Sequence, residues 1–167
     1  QGRLRMDLEK LDDGLGRRVR GDEVAGARNE LPVDVGVGDE GGFAPALKSN
    51  REALELIATA VEKAGYKLGT DILLALDVAA TEMFEDGKYK WDGKKISSAE
   101  LQSVYADWMK SFPLISIEDG FAEDDWESWI SFTRDHGKKL QIVGDDLFVT
   151  NPKRIEMGIQ KGAANAL

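Results

Sequence analysis

The chain has 167 residues, of which 42% are hydrophobic and 32% charged, enough for one domain with a real core. A formal net charge of −9 argues against nucleic acid or an anionic membrane as the main partner, though not against an anionic substrate held through a cation. There is no Cys, which excludes a disulfide framework and thiol chemistry and fits a reducing cytoplasm. No apolar run reads as a membrane span or a signal peptide.

In chain order, the first stretch is irregular. Six of the nine Arg (Arg3, Arg5, Arg17, Arg18, Arg20 and Arg28) precede Asn29, and residues 1–30 carry several Gly and many charges with no clean period. That composition predicts a loosely ordered surface segment, with a frame error or a wrong exon as the sharper reading. From Asn50 the pattern becomes regular. Ser49 with Glu52 offers a capping box; Leu54, Ile57, Val61 and Ala64 follow at helical spacing, and Gly65 stops the helix. A strand is predicted over 72–76. Asp86-Gly87, between alternating apolar and charged residues, predicts a small hairpin flap.

Ser97 with Glu100 is a second capping box, opening a helix whose buried stripe is Leu101, Tyr105, Trp108 and Phe112. Pro113 ends it and a strand over 114–117 follows at once. Glu123-Asp124-Asp125 leads into a helix with Trp126, Trp129, Ile130 and Thr133, stopping near Gly137. Next come a strand over 140–143, then Asn151 as N-cap with Pro152 at the first helical position. Ile155 and Ile159 are expected to form that helix's inner face, Gly162 to end it, and Ala163–Leu167 to begin a further strand. Because the chain starts at Gln1 and stops inside that strand, it reads as a fragment whose open sheet edges leave it poorly stable alone.

Strand–helix alternation predicts an α/β fold with a parallel sheet, and the short apolar runs read as strands buried on both faces. Asp77, Glu118 and Asp145 each stand directly after such a run. Acids at successive strand C-ends favour part of a (β/α)-barrel over a doubly wound sheet, and no GxGxxG or Walker sequence supports the latter. Three acids in one mouth repel unless a cation holds them, and hard oxygen ligands without Cys point to Mg²⁺ rather than zinc. Taken singly, each acid reads equally well as a strand-end cap or a solvated loop residue. Asp39, Asp119 and Asp146 read equally well as residues that orient such ligands and as surface acids. The Trp126/Trp129 pair and the Trp108/Phe112 stripe read as core, and His136 as a partner for a helix C-terminus.

A second motif is Val37-Gly-Asp-Glu-Gly-Gly-Phe-Ala-Pro45, which places Glu40 before two glycines; by itself the pair reads as an ordinary turn or as backbone able to approach a ligand closely. Together with Ala75-Leu-Asp-Val-Ala-Ala80, Ser116-Ile-Glu-Asp-Gly-Phe-Ala-Glu-Asp-Asp-Trp126 and Gly144-Asp-Asp-Leu-Phe-Val-Thr-Asn-Pro-Lys-Arg154, it resembles the enolases. The resemblance covers Val35 to Leu167 and implies part of the eight-stranded TIM-like barrel of the enolase C-terminal domain. Residues 1–34 do not resemble the family and stand as a separate segment.

The resemblance further implies a Mg²⁺-dependent lyase of glycolysis that interconverts 2-phosphoglycerate and phosphoenolpyruvate. Asp77, Glu118 and Asp145 match the metal carboxylates, Glu118 and Asp145 lying also at the substrate with Glu40. Glu40 matches the acid that assists departure of the C3 hydroxyl. The family's base is a Lys expected a few residues beyond Leu167. The resemblance implies a cytoplasmic homodimer and allows cell-surface or secreted forms, and neither nucleic acid nor membrane is expected as partner. Physics supports the division of labour. Proton removal beside a carboxylate adds negative charge that metal ions stabilise, and hydroxide leaves only if an acid protonates it. Glu40 must therefore hold a proton near neutrality, which neighbouring carboxylates favour. The alternatives are an inactive remnant that keeps the metal acids without the base, and a sister enzyme acting on another carboxylate substrate. The Gly-Asp-Glu-Gly-Gly and Ser-Ile-Glu-Asp segments weigh against the sister enzyme.

Overall fold

The structure is a computed structural model and describes residues 35–37 and 43–167. Glu40, Asp39 and the segment 1–34 lie outside the described residues. The chain divides into two units, Met6–Leu47 and a body dominated by Lys48–Leu167. In the first, β1 (Val35–Val37) pairs antiparallel with β2 (Phe43–Pro45), Gly36 opposite Ala44.

The body opens with α1 (Asn50–Lys63). Ser49 caps it by accepting from the Glu52 N–H, but the Glu52 carboxylate reaches back to the Lys48 N–H at 2.6 Å instead of to the cap residue. The capping box at the next helix, α2 (Ser98–Ser111), is complete: the Ser97 side chain accepts from the Glu100 N–H, and the Glu100 carboxylate accepts from the Ser97 N–H. Both devices satisfy donors that a helix N-terminus otherwise leaves open.

Three parallel strands form the centre, in the order β3 (Leu74–Asp77), β7 (Leu114–Glu118), β8 (Gln141–Val143). The pairing of β3 with β7 shifts register between Leu74 and Ala75, after which Asp77 lies opposite Glu118. Helices α1, α2 and α3 (Trp126–His136) lie between successive strands in sequence. A single helical turn, α4 (Asp145–Phe148), follows β8, and α5 (Pro152–Lys161) comes next, with Asn151 accepting from the Lys153 N–H. Beyond α5 the chain adds to the sheet not a full strand but an isolated parallel bridge, Val143 to Ala166, with the Asn165 and Ala166 N–H groups donating to the Ile142 carbonyl.

Two sequence expectations change. The strands are not buried on both faces: along β3 burial alternates, with Ala75 exposed between buried Leu74 and Leu76, and Ile115 of β7 is 47% exposed. Among the described residues the apolar core packs against one face of the sheet only. On α5, Ile159 is 77% exposed and does not face inward. Gly158 takes the buried position, where a Cβ would come within 2.3 Å of the Phe148 ring, and the next residue is turned 100° away toward solvent.

The flap is larger than the hairpin expected. Strands β4 (Phe84–Glu85), β5 (Lys88–Trp91) and β6 (Lys94–Ile96) form an antiparallel meander. Both of its turns are Asp-Gly pairs with positive φ at each residue, Asp86-Gly87 and Asp92-Gly93, the geometry that suits two-residue hairpins. Tyr89 and Trp91 point from β5 into the core, where Tyr105 of α2 makes edge-on contacts with Trp91, Phe121 and Phe132. Such aromatic pairs are worth about 0.5–1.5 kcal/mol each beyond their burial.

Candidate metal centre

The three sequence-predicted carboxylates emerge at one end of the parallel sheet. Asp77 is the last residue of β3, Glu118 the last of β7, and Asp145 follows Gly144 at the end of β8. Asp77 and Glu118 are half-buried and Asp145 is exposed. The group whose carboxylate oxygens lie within 4.8 Å of one another consists of Glu118, Asp119 and Asp145. Asp77 faces Glu118 from the neighbouring strand, in register with it. The donors are all hard oxygens, and the chain has no Cys and a single His, His136, at the far end of α3. That set suits a hard divalent cation and not a thiolate or imidazole metal.

Asp119 is the member that sequence reasoning placed only as an orienting candidate. It is 4% exposed, and its backbone is left-handed with φ of +45°. Asp and Asn enter this region more readily than other non-glycine residues. Burial pushes its carboxyl up from the usual 3.8 to about 7; the Asp146 N–H opposes the rise, and the charges of Asp146, Asp77 and Glu118 add to it. Negative charge is therefore crowded at this mouth, the condition a bound cation relieves.

The backbone of the mouth is cross-tied. The Val78 N–H donates to the Glu118 carbonyl at 3.0 Å and the Ala80 N–H to the Asp119 carbonyl at 2.9 Å. The Asp119 N–H donates to the Val143 carbonyl at 3.0 Å, and the Gly144 N–H to the Ala166 carbonyl at 3.1 Å. Left-handed residues recur where the chain leaves this end: Ala79 after β3, Asp119 after β7, and Val149 at the close of α4. Gly144 sits in a tight corner, where a Cβ would stand 3.0–3.1 Å from Leu147 and Phe148 side-chain atoms and those side chains would have to shift by a few tenths of an ångström.

The loop after Glu118 is held from behind, in part by Tyr105 and Trp129, which the sequence showed only as core. The Tyr105 hydroxyl donates to the Gly120 carbonyl at 2.8 Å, and the Trp129 indole N–H donates to the Ala122 carbonyl at 3.1 Å. The Tyr89 hydroxyl accepts from the Ala122 N–H and donates to Asp125, which also accepts from the Ser98 hydroxyl. Burial pushes the Tyr89 phenol above its ordinary range, so it stays a donor at any physiological pH. Arg154 of α5 donates to the carbonyls of Leu147 and Glu123, and its guanidinium lies over the Trp126 ring. The glutamate of β7 thus projects from a scaffold whose polar groups are paired, as a precise ligand site requires.

Strand–helix alternation with acids gathered at the strand C-ends is the arrangement of α/β-barrel domains that carry their chemistry at that face. Comparison with known proteins narrows the class. The family model "Enolase, C-terminal TIM barrel domain" matches residues 24–167, and the chain belongs to that family. The enolase of Bdellovibrio bacteriovorus is 58% identical over 135 residues, which cover 81% of this chain. The chain spans 32% of the length of that relative. Among the described residues no closed barrel forms, and no helix is long and apolar enough to cross a membrane.

Proposed function

We propose that this chain is part of a Mg²⁺-dependent lyase that interconverts 2-phosphoglycerate and phosphoenolpyruvate, a phosphopyruvate hydratase of glycolysis. The observation that carries the reading is the convergence of strand-end carboxylates in a chain of the enolase family. Asp77, Glu118 and Asp145 would hold the ion, whose chemistry is to neutralise the substrate carboxylate and stabilise charge developing beside it. Asp77 and Glu118 enter from adjacent strands in fixed register, so their separation is set by sheet geometry and not by loop motion. Asp145 enters from the turn after β8, its exposure leaving it open to a ligand arriving from solvent.

Glu40 is proposed as the proton donor to the departing hydroxyl, and with Glu118 and Asp145 it would border the substrate. The proton-abstracting Lys is proposed to come from sequence beyond Leu167. A homodimer in the cytoplasm is the proposed setting, with small phosphorylated acids and not nucleic acid or membrane as partners. The test is a Mg²⁺-dependent assay of phosphoenolpyruvate formation, followed by its ultraviolet absorbance, on the intact product of the gene that encodes this chain. Turnover that disappears with chelator and returns with Mg²⁺ supports the reading; no turnover at saturating Mg²⁺ rejects it.

A further inference from the structure

We propose that Asp119 is a positioning residue that straps the Asp145–Asp146 turn to the end of β7, and so sets where the Asp145 carboxylate stands relative to Glu118. This deepens the metal reading above and rests on it. Both Asp119 carboxylate oxygens accept from one donor, the Asp146 N–H, at 3.0 and 3.1 Å. Asp146 follows Asp145 directly, so a hydrogen bond to its amide fixes the peptide unit that joins the two residues.

The main chain of Asp119 ties the same three strand ends. Its carbonyl accepts from Ala80 beyond β3, and its N–H donates to Val143 at the end of β8. One residue therefore contacts the exits of all three strands that present the acids. The side chain is the component that can be removed separately, because the two main-chain bonds survive a substitution. A carboxylate 4% exposed and shared on one backbone N–H is built into the structure rather than displayed to solvent. Orienting partners of metal ligands are worth about 10–100-fold in metal affinity.

Calorimetric Mg²⁺ titration of the native protein, Asp119→Asn and Asp119→Ala separates the possibilities. Asn keeps the size, the tolerance of left-handed backbone and an oxygen that accepts the Asp146 N–H. The strap predicts that Asp119→Ala weakens Mg²⁺ binding by about 10–100-fold and that Asp119→Asn recovers most of the loss. Equal loss in both variants means that the carboxylate charge, or direct ligation by Asp119, is what matters, and overturns the proposal. Native affinity in Asp119→Ala overturns it also.

Amide hydrogen exchange supplies the readout should the alanine variant fail to fold. In the native protein without Mg²⁺, the Asp146 amide is expected to be protected, and it is expected to stay protected in Asp119→Asn. Rapid exchange of that amide in the native protein overturns the strap. If the native protein binds no Mg²⁺ at all, the metal reading fails instead, and the strap stands or falls on the exchange of the Asp146 amide.

Discussion

Asp77 stands opposite Glu118 in the β3–β7 register, so two carboxylates of like sign occupy adjacent positions at one end of a parallel pair. Sheet pairing holds them there whatever their mutual repulsion. A cation bound between them is therefore expected to stabilise the fold by mass action, by about 2.7 kcal/mol at a free concentration one hundred times Kd. Thermal unfolding with and without Mg²⁺ measures this. The midpoint should rise with Mg²⁺ in the native protein and stay flat in Glu118→Gln.

Acid–base linkage at Asp119 has a definite sign. The folded carboxyl titrates at about 7 against an ordinary 3.8, so the folded state holds its proton more tightly than the unfolded state does. Its stabilising contribution is complete below pH 3.8 and fades as pH rises through about 7. Denaturant unfolding of metal-free native protein and Asp119→Asn across that range isolates the component. The native protein should lose stability relative to the variant as pH rises; a constant difference would rule the linkage out.

Tyr89 is buried, and its hydroxyl joins the flap strand to the loop behind Glu118. Tyr89→Phe removes both bonds while keeping the ring, leaving the Ala122 N–H without its acceptor. A loss of about 1–3 kcal/mol is expected from denaturant unfolding, with a weaker loss of Mg²⁺ affinity because the glutamate's support loosens.

Gly158 lies against Phe148, where an added Cβ would come within 2.3 Å of one ring atom and 2.6 Å of another. Helix propensity alone would make Gly158→Ala stabilising by about 1 kcal/mol. Overpacking of about 1–3 kcal/mol should outweigh it, so the variant is expected to melt lower than the native protein. A higher midpoint would mean that the Phe148 ring moves aside freely.

Much of this was legible in the residues. Ser97 with Glu100 and Asn151 with Pro152 announced helix starts because a cap is a local hydrogen bond, and both are observed. The acids after apolar runs announced the mouth of the sheet because strand direction fixes which end a terminal residue occupies. The third flap strand was missed although Asp92-Gly93 repeats the signal of Asp86-Gly87; Lys94-Lys95 hid its alternation. Ile159 was misplaced because one apolar residue at helical spacing outweighed a glycine that buries only backbone. The binding of Asp119 to the Asp146 amide spans 27 residues of chain, and no local pattern encodes it.

The left-handed residues at the exits of the sheet bear on engineering. Val149 is β-branched with φ of +43° and is 56% exposed, a conformation that costs a non-glycine residue about 1–2 kcal/mol. Ala79 and Asp119 carry similar torsions beside the acids. A stability screen would find its gains at these three positions, and they are not equivalent. Asparagine at position 149 would relax an exposed corner. Relaxing position 79 would loosen the corner just after Asp77, and at position 119 any residue but asparagine would also cut the tie to the Asp146 amide, so a sturdier variant chosen there gives up the placing of a carboxylate.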